Sequence, residues 1–393
     1  MKFVRAACFS ALVLGLSACN WGDSAADHLV KANQYLAGAD YTSAIIELKN
    51  ALQLDSESAE ARYLLGVAYL ETGDMASAQK ELERAQQLGW PDSEIRPSLA
   101  QALLAQGEFT RVREISSRGL APVKEASVLA SQAMAALAEG DTWEAQEQID
   151  KALLKAPEST DALMASARLL ASNDDLDGAT AALDKVISLD PKLAPAWSLQ
   201  GDIRATRKDF TGALAAYDQS ISLQQKNFGD QFKQALLNLQ LGNFEAAQAG
   251  TDQLLTWAPQ HPGANYIQGL LHYQGGRYAE AITALSVTEP AFQQYPLSLF
   301  FLGSANLVQG NMDQAASLAA RFHKLAPDSV QGRKLLATIR LQEGKDAAVQ
   351  TLLQPVLASA PDDVDALNLT ANALLRMGKT DEGIALLSRV ATL

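Results

Sequence analysis

The chain has 393 residues, with 45 Asp and Glu against 32 Lys and Arg, and its formal charge of −13 argues against a basic nucleic-acid-binding face. Hydrophobic residues at 48% and charged residues at 20% are ordinary globular values, so the length predicts two or three compact domains unless the chain is a repeat array. Only two cysteines, Cys8 and Cys19, and four scattered histidines, His28, His261, His272 and His323, are present, none at metal-ligand spacing, so no disulfide framework, metal or cofactor is expected.

Residues 1–18 predict an export signal: Lys2 and Arg5 give a positive start, and Ala6–Leu16 is an apolar stretch too short to span a bilayer. The run Leu16-Ser17-Ala18-Cys19 resembles the bacterial lipobox, which makes Cys19 the lipidated first mature residue; the alternative is an ordinary secretory signal with an incidental cysteine. Two or three acyl chains would anchor the protein stably without a transmembrane helix. The same resemblance implies a sorting rule in which Asp after the cysteine retains the protein at the inner membrane. Asn20 stands there, so an outer-membrane anchor on the periplasmic face is expected. Residues 19–24 form a short tether, and no later run of about 18 apolar residues follows.

A 34-residue period fills residues 25–393, with units starting at Ala25, Ala59, Ser93, Ala126, Thr160, Ala194, Phe228, Pro262, Pro296, Val330 and Val364. The eighth position is always small, as at Ala32, Gly66, Gly201 and Gly269, and the twentieth is small in nine units, as at Ala44 and Ala78. Two antiparallel helices per unit cross closely only with small residues at the point of nearest approach. Glycine near position 15, as at Gly73 and Gly242, ends the first helix, and Tyr41, Phe109, Phe210, Phe244 and Tyr278 at position 17 staple the second. Pro157, Pro191, Pro259, Pro327 and Pro361 near position 32 stop it. This pattern resembles the tetratricopeptide repeat, which implies an all-α, right-handed superhelical solenoid of about eleven antiparallel helix pairs. The third unit is the weakest, with Val112 at position 20, Gly119 inside the second helix and Pro122 ahead of an early restart, so a short or distorted helix is expected there. The last unit, reaching Ala391-Thr392-Leu393, is read as incomplete, without a polar capping helix, which implies a longer protein or a covering partner.

The opening residues are more particular. Tyr35-Leu36, Asp40-Tyr41, the run Ala44-Ile45-Ile46-Glu47-Leu48-Lys49-Asn50-Ala51-Leu52-Gln53-Leu54 and then Glu60-Ala61-Arg62-Tyr63-Leu64-Leu65-Gly66, with the lipobox, resemble the PEP-CTERM system TPR-repeat lipoproteins. Members of that family usually carry many more repeats. The resemblance implies a Gram-negative bacterium that makes exopolysaccharide and sorts PEP-CTERM proteins with an exosortase, this lipoprotein being an accessory envelope component.

No motif for nucleophilic, nucleotide or metal chemistry is present. The acid pairs Asp174-Asp175 and Asp362-Asp363 fall in turns, where caps are expected. Lys151, Lys155, Lys233 and Lys334 read as single solvent-exposed residues, and His272 as a satisfied packing histidine. The chemistry of the array is a groove lined by first helices. Its positions 5, 9 and 12 in the seventh to ninth units place Phe232, Leu236, Leu239, Tyr266, Leu270, Tyr273, Phe300 and Leu307 there, against Ser198, Asp202, Lys334 and Asn368 elsewhere. A contiguous apolar strip marks a protein contact, though part of this set could equally be core between hairpins. A smaller cluster is Tyr63, Val67 and Leu70, beside Glu60 and Glu71. The acidic surface favours partners presenting Lys or Arg around apolar anchors.

The function these observations support is a non-enzymatic scaffold gathering envelope proteins, namely exosortase-pathway or exopolysaccharide-export components. The alternatives are a pilotin-like or polysaccharide-synthase-associated lipoprotein, or the substrate-selecting arm of a longer enzyme.

Overall fold

The computed structural model describes residues 23–224 and 226–393, so the export signal, Cys19 and Asn20 lie outside the described residues. Among the described residues there are twenty-two α-helices, one 3-10 turn and no strand. The first compact unit runs to Pro191. Its hairpins are α1 (Ala25–Ala37) with α2 (Tyr41–Leu54), α3 (Ala59–Thr72) with α4 (Met75–Gln87), α5 (Asp92–Ala105) with α6 (Phe109–Glu114), α7 (Pro122–Ala138) with α8 (Thr142–Lys155), and α9 (Thr160–Ser172) with α10 (Leu176–Leu189).

The second unit, Lys192–Leu393, pairs α11 (Ala194–Thr206) with α12 (Phe210–Leu223), α13 (Phe228–Gln240) with α14 (Phe244–Trp257), and α15 (Pro262–Gln274) with α16 (Tyr278–Ser286). It continues with α17 (Leu297–Val308) and α18 (Met312–Leu325), α19 (Val330–Gln342) and α20 (Asp346–Ser359), and α21 (Val364–Arg376) and α22 (Thr380–Val390). The even repeat predicts one continuous array, yet the chain divides at Pro191. In a linear array each hairpin packs mainly on its neighbours, so a compact unit can close between any two of them.

Many of the hairpins share the same local chemistry. Ser58, Ser159, Ser329 and Asp363 cap first helices through their side-chain oxygens, and Asp40, Asp74, Asp141, Asp175 and Asp209 cap second helices, each taking an N–H that the helix itself leaves unpaired. The alanines at position 20, such as Ala44, Ala78 and Ala213, are completely buried. The residue facing the small eighth position lies one turn later than the repeat implies: Leu82 faces Gly66, Tyr217 faces Gly201 and Leu285 faces Gly269. Burying each such leucine contributes roughly 1.5–3 kcal/mol.

The turn between paired helices demands a left-handed residue. Gly73 (φ 83°) and Gly242 (φ 77°) adopt it freely, but Ala39, Asp174 and Lys208 hold the same place in their units at φ 56°, 64° and 61°. A left-handed non-glycine residue costs about 1–2 kcal/mol, of which glycine's greater unfolded-chain entropy gives back about 0.5–1 kcal/mol. Lys208→Gly, at an exposed position, is therefore expected to stabilise the second unit by about 0.5–1 kcal/mol, read as a higher urea midpoint. An unchanged midpoint would show that Lys208 carries no strain.

Two units depart from the pattern. In the third, α6 has only six residues, and side chains take over the carbonyls it would have satisfied: Arg96 donates to Ser116 O at 2.7 Å and Arg118 O at 3.1 Å, and Gln132 to Ile115 O at 2.9 Å. The next helix starts at Pro122 rather than Ala126, because proline at the first helical position has no N–H to leave unpaired. The second departure was not visible in the repeat frame. α16 has nine residues and gives way to a 3-10 turn, Glu289–Ala291, around Pro290, which inserts Phe292 and Tyr295 beside α15 and α17.

Candidate functional site

The first helices α13, α15, α17, α19 and α21 lie side by side in the second unit. Phe232, Leu236 and Leu239 come from α13, Tyr266, Leu270 and Tyr273 from α15, and Phe300 and Leu307 from α17. All but Tyr266 are half-buried. Phe232, Leu236, Leu239, Leu270 and Phe300 rest on a core around Ile267 and Leu299, while Leu307 packs with Phe300 on the next core, around Ala319 and Leu336.

Tyr266 is not a lining residue: it is 8% exposed and stacks on Tyr295 with ring centroids 5.2 Å apart, because the interrupted α16 brings Tyr295 over it. Burial, with Tyr295 beside it, raises the pKa of its phenol. Tyr273 meets Phe301 edge-on at 5.0 Å and Tyr278 at 5.4 Å, and Phe300 meets Phe301 at 5.2 Å. Phe301 and Tyr295 thus belong to the strip, although position 6 and the inter-repeat turn were not among the positions expected to line it. The signal for Tyr295 was Pro290, which falls too early to end a full second helix.

In the first unit, Tyr63 stacks on Trp90 at 5.3 Å, and Tyr63 and Leu70 pack beside a core containing Leu99 and Leu103. Val67 is half-buried. Most of this smaller cluster therefore serves contacts between neighbouring hairpins.

Polar groups bound the aromatic strip on both sides. At α13, the carboxylate of Asp230, 2% exposed, accepts from Ser198 Oγ and Ser220 Oγ at 2.6 Å each and from Asn227 Nδ2 at 2.8 Å. Lys233 lies between Asp230 and Asp202, at 3.5 Å and 2.8 Å. Tyr217 donates its hydroxyl to Asp202 at 2.9 Å, and burial first, then the Asp202 charge, pushes its pKa far up. At α19, Lys334 reaches Asp365 at 2.8 Å and Asp363 at 3.2 Å. Burial opposes the Lys334 charge, but the hydrogen bonds it donates to Asp365 and then Asp363 outweigh it and raise its pKa. The Ala366 N–H holds the Asp363 carboxyl below its ordinary value of 3.8, aided by Lys334.

The four lysines read as solitary are therefore paired. Lys151 meets Glu147 at 2.8 Å, an exposed pair of little energetic weight, and Lys155 meets Glu125 at 3.2 Å. His272 is only half satisfied: its Nε2 meets Gln268 Nε2 at 2.8 Å, but its buried Nδ1 has no partner. Burial, then Arg277, lowers its pKa. Asp175 and Asp363 are helix caps, while Asp362 pairs with Arg389 at 2.6 Å.

A cleft of about 390 Å³ opens where α17, α19 and α21 meet, lined by Phe300, Gln331, Lys334, Asp365 and Asn368 among others. A larger one, about 580 Å³, lies between α14 and α15 beside Gln248, Asp252 and Arg277, away from the aromatic strip. Among the described residues no group of three His, Cys, Asp or Glu is placed to hold a metal, and no helix is long and apolar enough to cross a membrane.

Stacked helical hairpins, each closed over a small residue and presenting a row of first helices, define a helical-repeat solenoid. The chain belongs to the tetratricopeptide-repeat family, whose profiles match residues 35–96, 136–203, 232–296 and 334–393, together more than half of it. No curated protein sequence matches the chain. Among solved structures, Pseudomonas aeruginosa pilF superposes with a TM-score of 0.51 at 20% identity, over 54% of this chain and 97% of its own. The APC/C hetero-tetramer Cut9-Hcn1 gives 0.49 at 14% identity over 88% and 96%, and the P58(IPK) TPR domain 0.35 at 18% over 93% and 92%. The likeness to pilF is one of fold. Repeats of this family mediate protein–protein interaction, which is the general role the chain shares.

Proposed function

We propose that this protein is a non-enzymatic scaffold that captures partner proteins along the first-helix face of its second unit, held at the periplasmic face of the outer membrane by lipid on Cys19. Its partners in this reading are exosortase-pathway or exopolysaccharide-export components of the envelope. The observation that carries the binding role is the half-buried strip of Leu236, Leu270, Tyr273, Phe300 and Leu307, which leaves aromatic and aliphatic surface open on rigid helices. The lipobox order Leu16-Ser17-Ala18-Cys19 supports the anchor, Asn20 supports the outer membrane, and the opening repeat sequence supports the pathway.

The test is to tag the protein in its native host, crosslink in the intact envelope, separate the two membranes and identify what co-purifies. Tyr273→Ala with Phe300→Ala is expected to reduce capture about tenfold or more while helix content by circular dichroism is retained; Tyr266 stays intact because it is core. Cys19→Ser is expected to release the protein from the membrane fraction. Unchanged capture would remove the strip from the account, and an unlipidated wild-type protein would remove the anchor.

A further inference from the structure

The lining of the cleft at one end of the strip is neutral by count, with one lysine and one aspartate, but that lysine also pairs with Asp363, a carboxylate outside the lining. Lys334 is 14% exposed in its side chain and sits against two carboxylates, Asp363 and Asp365. One ammonium against two carboxylates leaves an excess of one negative charge. That excess is on the surface: the Asp365 side chain is 73% exposed, while that of Asp363 is 16% exposed and is further occupied in capping α21. Among the described residues, Lys334 and Asp365 are the only charged ones lining the cleft; the rest of its wall is Phe300, Leu335 and Leu369 with the neutral polar groups of Ser304, Gln331, Thr338 and Asn368. Lys334 is therefore not available to an anion.

We infer that this cleft seats a lysine or arginine side chain of an extended partner segment whose apolar residues lie on the neighbouring strip. The inference rests on the groove reading above and specifies its partner. The aliphatic stem would run over Phe300 and Leu369, with the cationic head at Asp365 and the amides of Asn368 and Gln331. Arginine gains over lysine because its fork can bond a carboxylate and an amide oxygen together. The chain's net charge of −13 adds long-range attraction for a basic segment. Tyr273 on α15 is two helix spacings from α19, about 16–20 Å, which an extended chain covers in about five or six residues. The segment therefore carries an apolar or aromatic anchor and, about five or six residues away, a basic residue.

A random 12-residue peptide library displayed on phage, panned against the full chain, tests this. Enriched sequences are expected to combine an apolar or aromatic pair with Lys or Arg at about that separation. A synthetic peptide of the enriched type should lose about tenfold in affinity when its basic residue becomes Glu, and less than about twofold when the receptor carries Asp365→Asn. Enriched peptides without a basic residue, or a preference unchanged in Asp365→Asn, overturn the inference and leave the groove standing. No enrichment, or enrichment indifferent to Tyr273→Ala with Phe300→Ala, overturns the groove and this inference with it.

Discussion

Replacing Asp230 with alanine is expected to destabilise the second unit by about 3–5 kcal/mol, because a buried carboxylate that joins three helices disappears while its partners remain. Ser198 on α11, Ser220 on α12 and Asn227 at the start of α13 would each lose an acceptor, and Lys233 would lose one of its two counter-charges. Ser220 has no exposure at all, so water cannot replace the lost bond without opening the helix junction, and its hydroxyl is left with the Ala194 carbonyl at 3.1 Å. Asp230→Asn keeps the shape and one acceptor oxygen, and is expected to cost about 1–2 kcal/mol. Since repeat arrays depart from two-state unfolding, the sharper measurement is amide hydrogen exchange, with the loss confined to α11–α13. A loss under about 1 kcal/mol for Asp230→Ala would mean that the junction is held by apolar packing alone.

Gly201→Ala is expected to cost about 2–3 kcal/mol despite adding one methyl group. A Cβ there would lie 2.5 Å from Cε1 and 2.6 Å from Cδ1 of Tyr217. The ring cannot turn aside: it is 3% exposed, its hydroxyl is tied to Asp202, and Lys233 lies over its face at 5.7 Å. The same two places in other hairpins are filled by Ala32 with Leu48 and Ala167 with Leu183, all fully buried. Tyr217→Leu should therefore rescue Gly201→Ala. In a double-mutant cycle by chemical denaturation the two changes should couple by about 1–2 kcal/mol, the double variant being more stable than the sum of the single losses allows. Strict additivity would show that helix crossing, not this pair of side chains, sets the requirement for glycine.

The repeat made most of the fold legible. A 34-residue period, small residues at the crossing and glycine turns are local rules, and the helices start within one residue of the expected frame in ten of the eleven units. The shortened α6 was readable from Gly119 and Pro122 for the same reason. The break in α16 was missed because Pro290 is one residue in a run that otherwise keeps its period.

The candidate site was less legible. Helical periodicity places Leu236, Leu270, Tyr273 and Phe300 on one face, but whether a residue on that face is lining or core depends on what the neighbouring hairpin lays over it. Tyr266 became core because the turn after α16 delivers Tyr295, and Phe301 joined the strip through Tyr273. The pairing of Lys334 with Asp363 and Asp365 spans 29 and 31 residues, close to one repeat, yet it arises only when adjacent first helices pack. From the sequence alone came the helix pairs, their caps and turns, and the expectation of a lipid anchor, because each depends on residues near in the chain. Burial, charge pairing and the division at Pro191 were decided by the tertiary structure, because they depend on which side chains meet across hairpins, and a periodic sequence leaves those meetings open.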